Sequence, residues 1–260
     1  MSIKRLFGLV ALALLAACTQ VEEKVVAPAP SLIETEAIRV FYTHVPDDRA
    51  AQLLTDADEG LIKVQHYLGR DPIVPIVIRD VEGDADSFSV TYATTTNGVR
   101  RYEIHIPDGR LGPDGRDTTL IHELTHAVAG EPYGDNLLLA EGLAVHVHGA
   151  LSADTESQSY AQFPIHQIAK AVIKKDAEEF SVSSLYKKRS VFRSLDKTDL
   201  KTTIGRSYAY VVSGSFVKFL IDRYGVEKFM RVYENGEFFI TYGRDLTELE
   251  HDWRRYLLQY

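Results

Sequence analysis

Apolar and polar positions repeat with two different periods in the first half of the chain, which predicts strands interleaved with a helix. Apolar residues recur every three or four positions over Asp47–Leu68, the spacing of an amphipathic helix that Asp47 or Asp48 can cap and Gly69 can end. Alternating or continuous β-branched segments predict strands on both sides of it. The strands are expected at 38–42, 72–81, 87–96 and 101–106, with Asn97-Gly98 as the turn of a hairpin.

The second half of the chain has a helical pattern throughout. One helix is expected to start near Asp117 or Thr118, either of which can cap it, and to stop at Gly130 and Pro132. A largely apolar helix follows at 137–144, and later helices are expected at 165–174, near 184, and at 208–224, 227–234 and 246–258. The predicted fold class is therefore α+β, with a small N-terminal mixed sheet and a mainly helical C-terminal part.

The first 31 residues differ in pattern from the rest of the chain and are expected to lie outside the folded domain. Lys4 and Arg5 precede an apolar segment of about a dozen residues, shorter than the ~20 that cross a bilayer, as is typical of a secretory signal. We expect a signal peptide at 1–17, a flexible tether at 18–31 and one domain at 32–260. Within that domain, the sheet and the two helices after it occupy 32–150, and a helical subdomain occupies 151–260.

Cys18 is the only cysteine and directly follows Leu15-Ala16-Ala17. This sequence resembles the lipobox of bacterial lipoproteins, which implies cleavage before Cys18 and acylation of its sulfur and new amino group. Thr19 follows instead of aspartate, which in Gram-negative lipoproteins implies transfer to the outer membrane. We therefore expect an extracytoplasmic protein, anchored by lipid to the outer membrane and facing the periplasm. The alternative is an ordinary signal peptide with an incidental cysteine.

Composition narrows the classes of function. The chain has 260 residues, 45% hydrophobic and 25% charged, as in ordinary globular proteins. A single cysteine excludes an internal disulfide. Removing Lys4 and Arg5 with the signal changes the formal net charge from −8 to −10, because 29 basic residues become 27 against 37 acidic ones. No basic cluster indicates nucleic acid, so no nucleic-acid partner is expected.

The sequence His122-Glu123-Leu124-Thr125-His126 carries the clearest chemistry. Residues four apart share one face of a helix, so the imidazoles of His122 and His126 can bind one ion. Glu123 lies at the edge of that face, where it can reach a metal-bound water without being a ligand, as a general base does. This spacing predicts a Zn²⁺ site. The alternative is a polar helix face on which both histidines are merely solvated.

A catalytic zinc ion normally has three protein ligands, so a third donor is needed. Glu141 is the candidate, because a carboxylate in an otherwise apolar helix is costly to bury unless it meets a cation. His146 and His148 are competing candidates, but seven residues of helix separate Glu141 from His148 by about 10.5 Å, too far to share an ion. His148 shares the face of Glu141 and is left open as a nearby or substrate-facing group. His105 is expected to be solvated or to lie at the rim, and not to bind metal.

Together these motifs resemble the gluzincin metallopeptidases, particularly the peptidase MA-like family, in which a Glu-Gly-x-Ala sequence follows the His-Glu-x-x-His motif. The resemblance covers about 117–260. It implies a zincin-like fold, His122, His126 and Glu141 as zinc ligands, and Glu123 as the general base. In zinc peptidases an edge strand before the metal helix often pairs with extended substrate, and the predicted hairpin is placed to do so.

A tyrosine or histidine often stabilises the oxyanion in this superfamily, and Tyr210 is our candidate, followed by Tyr208. The alternative is that both are ordinary packing tyrosines. Many gluzincins also carry a carboxylate four residues after the ligand glutamate to orient a metal histidine, but this chain has Val145 there. That partner must therefore come from elsewhere.

The expected function is that of a lipid-anchored zinc metallopeptidase, a hydrolase that acts on peptide or protein substrates. The first alternative is a zinc-binding envelope lipoprotein without turnover, acting as a binding or assembly module. The second is an envelope structural protein with a decayed site. The intact Glu123 favours the enzyme, because binding alone would not require that carboxylate.

Overall fold

The structure of the chain is a computed structural model that describes residues 29–73, 75–84, 89–96, 99–112, 117, 119–152, 164–187, 192 and 200–260, with the backbone alone at 96, 99, 100 and 200–206. Cys18, the predicted signal peptide and most of the predicted tether lie outside these residues.

Five described strands form one mixed sheet in the order β1-β2-β3-β5-β4. The parallel strands β2, β3 and β5 occupy its centre, and β1 and β4 pair antiparallel at its two edges. Their bounds are Ser31–Glu34 for β1, Ile38–Tyr42 for β2, Ile76–Val81 for β3, Val90–Thr96 for β4 and Val99–Pro107 for β5.

The predicted hairpin is confirmed, because Thr96 pairs with Val99 across the two positions of the expected turn. Asn97-Gly98 itself lies outside the described residues. Strand β1 was not predicted, and its first residue, Ser31, belongs to the stretch assigned to the tether. Strand β3 begins at Ile76, later than expected, after Pro75. A proline has no amide hydrogen to donate to a neighbouring strand, which explains the later start.

Helix α1, Asp47–Leu68, has the predicted bounds. Its buried side includes Leu53 and Leu61, and it ends at Gly69 in the left-handed conformation with φ 62°. The predicted aspartate cap is wrong, because Pro46 occupies the capping position without a side-chain hydrogen bond. The Asp47 carboxylate instead accepts a hydrogen bond of 3.0 Å from the Tyr42 hydroxyl, which joins the helix to β2.

Helix α2, Leu120–Ala129, carries the His-Glu-x-x-His sequence and begins later than predicted. Asp117 does not cap it. The Asp117 carboxylate accepts hydrogen bonds from the Thr119 amide and hydroxyl, at 2.5 and 2.6 Å, and so fixes the turn before the helix. Thr118 lies outside the described residues. The helix ends at Gly130, φ 75°, as predicted, and buries Leu124 and Val128.

Helix α3, Leu137–Leu151, is capped by the Asn136 side chain, which accepts a hydrogen bond from the Leu139 amide at 3.2 Å. The later helices lie where the pattern predicts them, except that α6 extends further towards its N-terminus and the short α8 was not predicted. They are α4 Ile165–Lys175, α5 Val182–Lys187, α6 Leu200–Tyr224, α7 Val226–Asn235, α8 Phe238–Tyr242 and α9 Leu246–Leu257.

One hydrophobic core joins the sheet, α1, α2, α3 and the C-terminal helices. Helices α3 and α6 approach so closely that a Cβ atom at Gly142 would lie 2.7 Å from the Ser213 carbonyl oxygen. The α+β class with a small mixed sheet and a mainly helical remainder is therefore confirmed.

None of the helices in the described part of the chain combines the length and apolar character needed to cross a membrane.

Candidate metal centre

His122, His126 and Glu141 bring three potential ligand atoms together between α2 and α3. The Nε2 atoms of the two histidines lie 3.2 Å apart. Glu141 Oε2 lies 3.2 Å from His122 Nε2 and 3.5 Å from His126 Nε2. All three side chains are largely buried, with 13 to 19% of their surface exposed. Among the described residues, this is the one group of histidine, cysteine and acidic side chains with the spacing of a metal site.

The three distances suit a small tetrahedral cation. Ligand atoms ~2.0–2.1 Å from a zinc ion in tetrahedral geometry are about 3.3–3.4 Å from one another. The three observed separations, from 3.2 to 3.5 Å, bracket this value. Three nitrogen and oxygen donors are also a common ligand set for catalytic zinc, with one further position open to water or substrate. The residues present could therefore hold Zn²⁺.

The Glu141 carboxyl and the His126 imidazole shift each other's pKa values. Burial alone would raise the pKa of the Glu141 carboxyl, but His126 and His122 hold that pKa far below its ordinary value, so the group stays ionised. For His126, burial lowers the pKa, and the Glu141 and Glu123 carboxylates more than reverse this, so its pKa is raised above 6.5. The two carboxylates therefore favour a positive charge between these side chains, either on an imidazole or on a bound cation.

Glu123 lies beside this cluster with only 5% of its surface exposed. Its Oε2 atom accepts a hydrogen bond of 2.7 Å from the hydroxyl of Thr91 on β4. The same hydroxyl lies 3.1 Å from the main-chain oxygen of Glu123. Sequence analysis did not single out Thr91. The available signal was that Thr91 and Ser89 are small polar residues on one face of a strand whose opposite face carries Val90 and Tyr92.

A groove of about 440 Å³ opens onto the cluster. Thr91 and its neighbours on the edge strand β4 line it, together with the three potential ligands and Glu123. Tyr102 and Tyr210 also line it. Both a water and part of a substrate can fit in a groove of this volume, next to a carboxylate that could accept a proton.

Tyr210 and Tyr208 have different surroundings. The Tyr210 ring stacks on the imidazole of His122, with 6.2 Å between centroids and 20° between planes. Tyr208 packs edge-on against Phe180, and the Lys175 ammonium lies 5.5 Å from the centre of its ring. Of these two tyrosines, Tyr210 is therefore the one that lines the groove.

Of the three other histidines considered in the sequence, one lies near the cluster and two lie away from it. His148 is buried and its ring lies edge-on to that of His122, 6.5 Å between centroids, so it lies next to the cluster without belonging to it. His146 Nε2 lies 2.6 Å from the Tyr67 hydroxyl. His105 lies on the outer face of β5, an inner strand of the sheet, 2.6 Å from Glu103 and partly exposed.

Val145 occupies the position where many gluzincins carry a carboxylate. A Cβ atom at Gly214 of α6 would lie 2.5 Å from Val145 Cγ1, so this valine is part of the close contact between α3 and α6. An ionised group at position 145 would have to be buried between two helices, which costs several kcal/mol. The packing therefore explains why an apolar residue stands there.

The C-terminal end of α2 is held by groups from distant parts of the chain. The Tyr233 hydroxyl donates a hydrogen bond of 2.7 Å to the Gly130 carbonyl, and Arg70 Nη1 donates one of 3.2 Å to the Ala129 carbonyl. Arg70 is itself paired with Glu234 at 3.0 Å. These bonds satisfy carbonyls that the helix leaves without partners, and they fix the direction of the helix that carries both histidines.

No protein-family model matches the sequence, and no curated protein is significantly similar to it.

Proposed function

We propose that the chain is a zinc-dependent peptidase of the gluzincin type with a zincin-like arrangement of its sheet and metal helices. The observation that carries the proposal is the triangle formed by His122, His126 and Glu141, whose edges match those of a tetrahedral zinc site. The position of Glu123 beside that triangle adds the group that hydrolysis needs.

His122 and His126 would hold the ion through Nε2, and Glu141 through Oε2. A zinc ion bound there would supply a water with a pKa lowered towards ~7 and would polarise the substrate carbonyl. Glu123 would act as the general base that takes a proton from the attacking water, and would then return it to the leaving amine. The Tyr210 hydroxyl would donate a hydrogen bond to the oxyanion.

The groove favours an extended peptide as substrate. Among the described strands, β4 lies at the edge of the sheet, so one row of its main-chain groups has no partner in another described strand. Ser89, Val90, Thr91 and Ala93 of this edge line the groove next to Glu123. A peptide that added to β4 as a further strand would gain main-chain hydrogen bonds and carry its carbonyl past the metal cluster.

We also propose that the protein is attached to the cell envelope by lipid at Cys18, on the outer membrane and facing the periplasm. The support is the Leu-Ala-Ala-Cys sequence after an apolar segment. Metabolic labelling with a palmitate analogue tests this part, with Cys18→Ala as the control that should not incorporate label.

Metal analysis combined with peptide hydrolysis tests the enzyme. Wild type should contain about one zinc per chain and cleave members of a broad peptide library, whereas Glu123→Gln should keep the zinc and lose ~10²-fold or more in kcat. Zinc without any cleavage would favour the binding or assembly module. Absence of zinc would favour a structural protein with a decayed site, and equal cleavage by Glu123→Gln would overturn the proposed mechanism.

A further inference from the structure

Thr91 makes an unusual contact, because its hydroxyl reaches two acceptors of the same residue. Thr91 Oγ1 lies 2.7 Å from Glu123 Oε2 and 3.1 Å from the Glu123 main-chain oxygen. Thr91 belongs to β4 and Glu123 to α2, so the contact joins the edge strand to the metal helix. The distance of 2.7 Å is within the normal range for an O–H···O hydrogen bond, and the distance of 3.1 Å is slightly above it.

The direction of this hydrogen bond is determined by the chemistry of its partners. An ionised carboxylate and a carbonyl can only accept, so the Thr91 hydroxyl is the donor. Its single proton is directed at the nearer and charged acceptor, Oε2, since hydrogen bonds to charged groups are the shorter and stronger ones. Within the described part of the chain, Thr91 is the one side chain that hydrogen-bonds the Glu123 carboxylate.

We propose that Thr91 is a positioning residue for Glu123 and selects Oε1 as the oxygen that takes the proton. This inference rests on the proposed function. The hydroxyl holds the carboxylate by Oε2 and, by donating a hydrogen bond to that oxygen, makes it less basic than Oε1. Oε1, which no described side chain binds, is left as the basic oxygen. In the step, one O–H bond of the attacking water breaks and its proton forms a new bond to Oε1. The remaining hydroxide bonds to the carbonyl carbon while the π pair of the C=O bond moves onto the carbonyl oxygen, which becomes the oxyanion.

The main-chain oxygen of Glu123 gives the Thr91 hydroxyl a second hydrogen-bond acceptor when the charge of the Glu123 carboxylate changes. Protonation of Glu123 removes the charge that made Oε2 the stronger acceptor. The Thr91 proton can then turn towards the main-chain oxygen at 3.1 Å without movement of the strand. The hydroxyl thereby holds the carboxylate firmly before proton transfer and less firmly afterwards, when Glu123 has to give its proton to the leaving amine.

The same strand would position both the substrate and the base. Thr91 lies on the part of β4 that lines the groove, next to Val90 and Ala93. A peptide paired with β4 and a carboxylate held by Thr91 would thus share one rigid support, which is how an enzyme keeps two reacting groups in a productive geometry.

Thr91→Val and Thr91→Ser test the inference, with Thr94→Val as the matched control. Valine keeps the shape of threonine and removes the hydroxyl, whereas serine keeps the hydroxyl. Thr94 lies on the same strand with its side chain on the opposite face. We expect Thr91→Val to lower kcat about tenfold with KM and zinc content within twofold of wild type. Thr91→Ser and Thr94→Val should stay within about threefold of wild-type kcat.

A crystal structure of zinc-loaded Thr91→Val gives a readout other than activity, because the Glu123 carboxylate should then leave its position beside β4. Two results overturn the positioning role while the proposed function stands. The first is that Thr91→Val is as active as wild type although Glu123→Gln is inactive. The second is that Thr91→Val and Thr91→Ser are equally impaired and both lose zinc. A wild type without turnover, or a fully active Glu123→Gln, overturns the proposed function and the role of Thr91 with it.

Discussion

The aromatic ring of Tyr210 lies nearly parallel to the imidazole of His122, with 6.2 Å between their centroids. Helix α6 thus contributes a phenol to the side of the His122, His126 and Glu141 cluster that faces the groove. If this hydroxyl stabilises the oxyanion, Tyr210→Phe should keep the stacking and the zinc but lower kcat by about 10- to 100-fold, with little change in KM. Steady-state kinetics and zinc analysis of the purified variant measure this effect.

Tyr208→Phe is the control for that substitution. Tyr208 packs against Phe180, so loss of its hydroxyl should leave kcat within about twofold of wild type. An equal loss of activity in both variants would show that Tyr210 acts through the packing of α6 and not through its hydroxyl.

Zinc binding should release a proton near neutral pH. The Glu141 and Glu123 carboxylates raise the pKa of His126 above 6.5 in the metal-free protein, whereas a zinc ligand has to be a neutral imidazole. Below this raised pKa, zinc and a proton compete for His126, and the affinity should fall by up to about tenfold per pH unit. Titration calorimetry at pH 7 in two buffers of different ionisation enthalpy measures the released protons.

Glu141→Gln provides the contrast, since it removes the carboxylate that contributes most to raising the pKa of His126. Fewer protons should be released by this variant for each zinc bound, although its affinity will be lower. A zinc affinity of the wild type that is constant between pH 6 and 8 would contradict the prediction.

Local sequence patterns predicted most of the elements, because each depends on residues close together in the chain. Asp47–Leu68 could be bounded by periodicity and by Gly69, and Gly130 marked the end of α2. The aspartate caps were wrong because Asp47 and Asp117 bond to partners that tertiary packing supplies, Tyr42 for the former and Ser89 for the latter. Strand order, and therefore the edge position of β4, depends on pairing between distant segments.

The three cluster residues could be predicted from the sequence because helical spacing places two of them and the cost of burying a charge singles out the third. Thr91 could not, since alternation tells which residues share a face but not which helix that face meets. Val145 could be noticed as a departure from the family pattern. Its reason, the contact with Gly214, is visible only once α3 and α6 are packed.

Gly142 should tolerate no side chain. A Cβ atom there would lie 2.7 and 2.9 Å from main-chain atoms of Ser213, which cannot move without shifting α6. We expect Gly142→Ala to lower the free energy of unfolding by ~2–3 kcal/mol, and to weaken zinc binding because Glu141 is adjacent. Urea denaturation of the metal-free and zinc-loaded protein measures both effects.

Gly60→Ala is the matched substitution in α1. Its Cβ atom would meet only the ends of the Leu124 and Ile121 side chains, at 2.9 and 3.0 Å, and these can rotate away. Replacing glycine inside a helix also favours folding by ~1 kcal/mol, so the net change should be within about 1 kcal/mol. If Gly142→Ala and Gly60→Ala lowered the free energy of unfolding by similar amounts, α3 and α6 would be less tightly packed than their contact implies.

Stability should fall as the pH drops from 6.5 towards 4. Burial, assisted by Lys218, lowers the pKa of His146 to about 4, whereas an unfolded histidine titrates near 6.5. In this window the unfolded chain binds a proton that the folded chain does not. The neutral, buried His146 therefore costs no stability above pH 6.5. On acidification the free energy of unfolding falls, by ~1–2 kcal/mol between pH 7 and pH 5 for this one group.

His146→Gln removes that titration and should reduce the difference between the free energies of unfolding at pH 7 and pH 5. His251→Gln, at an exposed position, should leave the difference unchanged. Urea denaturation at the two pH values compares the variants. An unaltered difference in His146→Gln would mean that other groups account for the acid sensitivity.

The anchoring of α2 at its C-terminal end has a consequence for metal selectivity. Tyr233 and Arg70 set the direction of this helix through main-chain carbonyls, so the ion would not be needed to hold the helix in place. A protein organised in this way can lose one divalent cation and accept another while it stays folded. The identity of the metal would then be decided by what the surrounding compartment supplies, and cobalt could replace zinc as a spectroscopic reporter of the same three side chains.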